Sequence, residues 1–130
     1  PGPSSNSVGT LLRHLEGNVR QWILAGIAGQ PDARDRAAEF ATDVTSPAPC
    51  NAPGAAELIE RLRATVTEAV SIVEGLGPRR LLARSLFQAR YEETVLGAVL
   101  HVMEHFSGHA GQIYASTKAQ KGVDLGFYDL

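Results

Sequence analysis

Apolar residues recur at three- and four-residue steps along three long stretches of the chain, which is the spacing of an amphipathic α-helix. The first comprises Val8, Leu11, Leu12, Leu15, Val19, Trp22, Ile23 and Ile27 and predicts a helix to about residue 28. Asn6 or Ser7 serves as its N-cap, because a side-chain oxygen there accepts from an orphaned backbone N–H. Gly29-Gln30-Pro31 ends it. The second runs from about residue 53 to 74, with Asn51 or Ala52 near its cap and Pro53 in its first turn, where the missing N–H is no loss. Its expected buried stripe is Ala55, Leu58, Ile59, Leu62, Val66, Ala69, Val70 and Val73, and Gly75, Gly77 and Pro78 close it. The third runs from Glu93 or Thr94 to about residue 119, with Leu96, Ala98, Val99, Val102, Met103, Phe106, Ala110 and Ile113 on its apolar face. Lys118 and Lys121 suit the negative end of its dipole, Gly122 ends it, and residues 123–130 form a tail.

The connections read less clearly. Residues 37–41 have the makings of one helical turn, and 45–49 are loop chemistry. Residues 79–92 show no clean period and read as an irregular or partly extended link. No repeat or low-complexity tract is present.

The chain has 130 residues, which suits one domain with one core. The net charge of -2 is the wrong sign for a nucleic-acid module, so no nucleic-acid partner is expected. No apolar run reaches the roughly 18 residues that spanning a bilayer takes, so no membrane partner is expected either. The single cysteine, Cys50, can make no internal disulfide and fits a reducing cytoplasm. It sits among prolines with no histidine nearby in sequence, so it reads as an inert thiol. The start is polar and turn-like, unlike a signal peptide, and lacks an initiator methionine, which reads as a trimmed end. The run Arg34-Asp35-Arg36 reads as a solvated or internally paired loop.

The candidate chemistry lies in the histidines, all four on predicted helices. His101, His105 and His109 are spaced by four, a step of about 40° and about 6 Å of rise. Adjacent members of such a series can converge on one ion. The outer two lie about 12 Å apart in rise, so a site takes one adjacent pair and a ligand from another helix. With His105 at zero, His109 lies at about +40°, between Ala98 and Val102 on the apolar edge, and His101 at about -40°, away from it. The pair is therefore taken as His105 and His109, with His101 outer-shell or exposed. Gly97 and Gly108 leave the other flank open to a neighbour, so this choice is not forced. His14, at the edge of the first helix's stripe near Leu11, Asn18 and Trp22, is the expected third ligand. Three neutral imidazoles and a water make a four-coordinate site with an open position. Asn18, Gln21, Glu104 and Gln112 are candidates to tie down the other ring nitrogens. Helical histidines are commonly just solvated, and spacing alone does not select His14.

The segment His105-Phe106-Ser107-Gly108-His109-Ala110-Gly111-Gln112-Ile113 resembles the last-helix signature of the DinB-like (YfiT-like) superfamily of bacterial four-helix metalloproteins: a histidine pair four apart, then Gly-Gln and an apolar residue. Leu11-Leu12-Arg13-His14-Leu15 with Trp22 is similar to the stretch that carries the family's third ligand. The likeness extends to Ser7-Val8-Gly9, the run from Gly17 to Ile23, Arg34-Asp35-Arg36 with Glu39-Phe40, and the tail from Asp124 to Tyr128. It points to a poorly characterised branch of the superfamily.

The resemblance implies an all-α, up-down-down-up four-helix bundle in one domain, residues 1–130. The helix that precedes the first histidine helix in the family is missing here. A homodimer, or a retained N-terminal fragment, is then expected to fill the gap. The resemblance also implies a divalent metal on His14, His105 and His109: zinc or nickel first, iron or manganese as further options. Characterised relatives use a metal to activate a low-molecular-weight thiol. A metal-dependent transferase or hydrolase-like enzyme acting on a small molecule is the leading expectation. A non-catalytic metal-binding stress-response protein is its rival, and a structural helical dimer with incidental histidines is the third. No residue stands out as a general base; Glu104 and His101 are the titratable groups nearest the pair on that helix.

Overall fold

The computed structural model describes residues 6–41, 54–122 and 124–126. Helix α1 spans Val8–Val19 and continues directly into a π-helical segment, Arg20–Ala25. A one-turn helix α2 (Arg36–Phe40) follows, then the long α3 (Ala55–Glu74) and the short α4 (Pro78–Leu81). Strands β1 (Arg84–Phe87) and β2 (Tyr91–Thr94) form an antiparallel hairpin that leads into α5 (Val95–Lys121). The expected loop at 45–49, the expected cap at Asn51 or Ala52, Pro53 and Cys50 lie outside the described residues.

The all-α expectation holds, with one small hairpin added. The helix starts follow cap chemistry. Ser7 Oγ accepts from the Thr10 N–H at 3.1 Å, and Thr94 Oγ1 from the Gly97 N–H at 2.9 Å, each satisfying a donor the first turn leaves unpaired. Gly122 closes α5 at φ 63°, a left-handed conformation that glycine adopts without penalty.

Helix α1 is the central element, packed chiefly on α3 and flanked by α2 and α5. Leu12 and Leu15 meet Leu58 and Leu62 of α3 at one end. Val19, Trp22, Ile23, Leu24 and Ile27 meet Ala69, Phe87, Val95, Ala98 and Val102 at the other. Trp22, Ile23 and Leu24 are consecutive and all buried, which requires packing around some 200° of helix surface. The chain meets that demand in its π segment, where Gly26 and Ala28 donate to the carbonyls of Gln21 and Ile23, five residues back.

The region 79–92, expected to be irregular or partly extended, is a helical turn followed by the hairpin. Arg90 N–H closes its turn on the Phe87 carbonyl at 3.0 Å, with Gln88 at φ 53° and Ala89 at φ 51°. Those angles are the hairpin-type turn without the glycine or asparagine that announces it. Phe87 anchors the hairpin: it is fully buried and stacks on Trp22 at 5.3 Å. A Cβ on Gly26 would come within 2.6 Å of the Phe87 ring, so Gly26 makes room for it.

The expected stripes are too wide. On α3, Leu58, Leu62, Thr65 and Ala69 are buried, whereas Ala55, Ile59 and Val70 are exposed. On α5, Val95, Ala98 and Val102 are buried, whereas Leu96 and Met103 are exposed. Among the described residues no helix is long and apolar enough to cross a membrane.

Candidate metal centre

Helix α1 carries His14 and helix α5 carries His105 and His109, and the packing of the two helices brings all three together. One ring nitrogen from each lies within 4.8 Å of the others. His14 Nε2 is 2.9 Å from His105 Nε2. The ring centroids of His14 and His109 are 5.0 Å apart, and those of His105 and His109 4.6 Å. Nitrogens bound at about 2.0–2.1 Å to one tetrahedral ion sit about 3.3 Å apart. The donor set fits a divalent transition metal; the His14–His105 pair is within a few tenths of an ångström of that spacing, and His109 lies close enough for a rotamer adjustment to complete it.

His14 is buried, and its other nitrogen is held. Nδ1 lies 2.8 Å from Glu39 Oε2, 25 residues downstream on α2. A carboxylate accepts only, so Nδ1 carries the hydrogen and Nε2 keeps its lone pair toward the cluster. The close Nε2 pair then takes its shared hydrogen from His105. Glu39 is itself clamped by Arg34, Nε to Oε1 at 2.7 Å and Nη2 to Oε2 at 2.9 Å. Arg34 Nη1 donates to Gln21 Oε1 at 2.9 Å, and Gln21 Nε2 donates to Asp32 Oδ2 at 2.9 Å. His109 Nδ1 lies 2.8 Å from Gln112 Oε1, which leaves its Nε2 as the free donor atom. Two outer nitrogens of the cluster thus have partners of the kind metal-ligating histidines use.

The Glu39–Arg34 pair sits directly over α1 at Gly17. A Cβ there would overlap Glu39 Oε1 and come within 3.0 Å of Arg34 Nε. Asp35 fixes α2 by accepting from the Ala38 N–H at 3.0 Å, and one turn of helix then aims Glu39 inward.

Charge states follow from this packing. Burial, reinforced by His109, His14, His101 and Arg34, lowers the His105 pKa from 6.5 to about 4. Burial also lowers His14, outweighing the hydrogen bond to Glu39. Burial opposes ionisation of Glu39, but the hydrogen bonds and charges of Arg34 and His14 hold its carboxyl below the usual range. At neutral pH the buried imidazoles are neutral and the carboxylate is charged, the states in which a metal is bound.

His101 is exposed and is not one of the three that converge, although its ring stacks on His105 at 5.9 Å. Its ring lies 4.3 Å from Trp22, and it lines a cavity of about 690 Å³ together with His14 and His105. Of the residues expected to orient the ligands, Gln112 does so. Gln21 acts at one remove, through Arg34, and Asn18 lines the cavity. Glu104 is exposed and plays no such part. The sequence reading missed Glu39; Arg34 does lie in a loop and is paired, as one of the two readings of that run had it, but its side chain is only 7% exposed, in the pair that holds His14. Their only sequence signal lay in the family likeness, since nothing in local spacing links residue 39 to residue 14.

A chain of long helices with a three-histidine group on two of them defines a helical protein that could hold a metal ion. The family model of the DinB superfamily matches residues 1–113, and the chain belongs to that superfamily. No curated protein and no solved structure matches it.

Proposed function

We propose that this protein binds one divalent transition-metal ion through Nε2 of His14, His105 and His109, zinc or nickel before iron or manganese. We further propose that it is an enzyme acting on a small molecule, a transferase or hydrolase-like protein that takes a low-molecular-weight thiol. The observation that carries the reading is the convergence of three imidazoles, one locked by Glu39, two of which, His14 and His105, line a cavity of about 690 Å³. A site sealed from solvent would suit the non-catalytic alternative; this one opens onto space for a ligand. A divalent ion bound there would lower the pKa of a water or thiol in its fourth position and polarise an electrophile.

The chain's own contributions follow from the geometry. Glu39 holds His14 in the tautomer that presents Nε2 and adds negative charge behind the ring. Arg34 keeps Glu39 ionised and in place. Trp22, His101 and Tyr91 give the cavity a flat aromatic wall, with Trp22 and Tyr91 stacked at 6.0 Å. Elemental analysis of protein purified without an affinity tag tests the first step, with about one metal per chain expected. Screening small electrophiles with glutathione, mycothiol and bacillithiol tests the second. Metal-free protein would overturn the whole reading. Stoichiometric metal without turnover in any pairing would leave the non-catalytic binder.

A further inference from the structure

The cavity beside the histidines carries more charge chemistry than the metal reading uses. Its lining includes three arginines, Arg34, Arg36 and Arg90, and two glutamates, Glu92 and Glu93. Most of these charges are already engaged. Arg34 is clamped on Glu39. Glu92 pairs with Arg84 at 3.0 Å. Glu93 accepts from the Thr94 N–H at 2.6 Å, and that bond with a second from the Thr94 hydroxyl holds its carboxyl low. Two guanidiniums remain. Arg36, at the first residue of α2, has no carboxylate partner among the described residues. Arg90, in the hairpin turn, lies over the Tyr91 ring at 5.3 Å and likewise has no carboxylate partner among them.

These two cations come from elements far apart in sequence, yet they line the same space as His14, His105 and Trp22. A guanidinium facing a cavity offers paired N–H donors matched to a carboxylate. The cation–π contact with Tyr91 does not consume those donors. The hairpin turn that presents it keeps two non-glycine residues at positive φ, a conformation that costs energy and persists where surrounding structure holds it.

We infer that the cavity selects small molecules that carry a carboxylate remote from their reacting atom, bound by Arg36 and Arg90 while the flat aromatic wall takes the middle of the molecule. This rests on the proposed function for the identity of the reacting end, but the anion subsite belongs to residues outside the histidine cluster. The carboxylate can belong to the thiol or to its electrophilic partner, and the two are separable by experiment.

Trp22 is the single tryptophan of the chain and lines the cavity, so its fluorescence reports occupancy with or without metal. The test titrates zinc-loaded and metal-free protein with mercaptosuccinate, N-acetylcysteine and glutathione, each against its methyl ester, and with succinate against dimethyl succinate. At least one acid is expected to bind ten-fold or more tighter than its ester. Arg36→Gln and Arg90→Gln are each expected to weaken that acid about five- to ten-fold and leave the ester unchanged. Both side chains are exposed, so the variants keep the wild-type melting temperature and metal content. A preference among the thiol acids that needs zinc assigns the carboxylate to the thiol; a preference for succinate that is the same with and without zinc assigns it to the partner. Equal affinity for every acid and its ester, or acid preference intact in both variants, overturns the inference. Loss of metal binding with acid preference retained would sink the metal reading and leave this one standing.

Discussion

A carboxylate 25 residues downstream of His14 fixes which nitrogen that histidine offers, and the consequence is measurable one side chain at a time. Glu39→Ala removes the acceptor on Nδ1, and loss of such a partner weakens metal affinity about 10–100-fold. It also leaves Arg34 buried without its counter-ion, at a cost of about 3–5 kcal/mol in stability. Competition titration against a chromophoric chelator and chemical unfolding read the two effects; unchanged affinity would mean that Glu39 only supports the fold. Among the histidines, His105→Ala is expected to abolish tight binding, because the two that remain chelate poorly. His101→Ala is expected to keep about one metal per chain, since its ring rests on Trp22 outside the cluster. Metal retained in the first variant or lost in the second would show that the wrong pair on α5 was chosen. At this scale His105 and His109 were legible because a four-residue helical step is a local property. His14 was not selected by spacing, since its role depends on how two helices pack; its place at the edge of the first helix's apolar stripe suggested it, and the family likeness supported it. Glu39 stayed hidden for the same reason, as a single turn of helix carries no periodic signal that says which way its carboxylate points.

Individual elements divide along the same line. The helices announced themselves through period and caps, and Ser7, Thr94 and Gly122 stand where cap chemistry puts them. The hairpin did not, because its turn uses Gln88 and Ala89 at φ 53° and 51°, where sequence rules look for Asn-Gly. That mismatch carries a test. Ala89→Gly removes the steric penalty of the left-handed conformation, worth about 1 kcal/mol, against a small loss from added freedom in the unfolded chain. A net gain of roughly 0.5–1 kcal/mol in unfolding free energy is expected. A net loss would mean that the turn is not in this conformation in solution. The π segment was equally invisible. Its apolar residues satisfy an α-helical period up to Trp22, and only the demand to bury Trp22, Ile23 and Leu24 together reveals the wider turn.

At the scale of the molecule, one face of the described residues gathers apolar surface into a groove. Helices α3 and α5 both pack on α1 and its π segment and leave between them a groove of about 410 Å³, with Val19, Ile23, Val66, Val70, Met103 and Phe106 among its lining. Val70 is 49% exposed and Met103 61%. This is why the stripes read from sequence were wider than the buried ones: periodicity records every apolar face, including faces with no neighbour inside the chain. Beside the groove, α5 carries Leu96, Leu100 and Met103, all exposed, at the i, i+4, i+7 spacing of a helical ridge. One copy thus holds both a groove and a ridge of matching chemistry, and a two-fold pairing covers both at once. We expect a homodimer built on this face. Removing a few hundred Å² of apolar surface from water is worth several kcal/mol at roughly 25 cal/mol per Å², on the scale of the association costs of about 4–15 kcal/mol. Light scattering with intact-mass analysis is expected to give twice the 13.9 kDa chain mass. Met103→Glu, which places a charge in the middle of the ridge, is expected to yield monomer with its metal content unchanged, because the side chain is exposed and outside the histidine cluster. A wild-type monomer, or a copurifying helical fragment seated in the groove, would show that something other than a second copy closes this face.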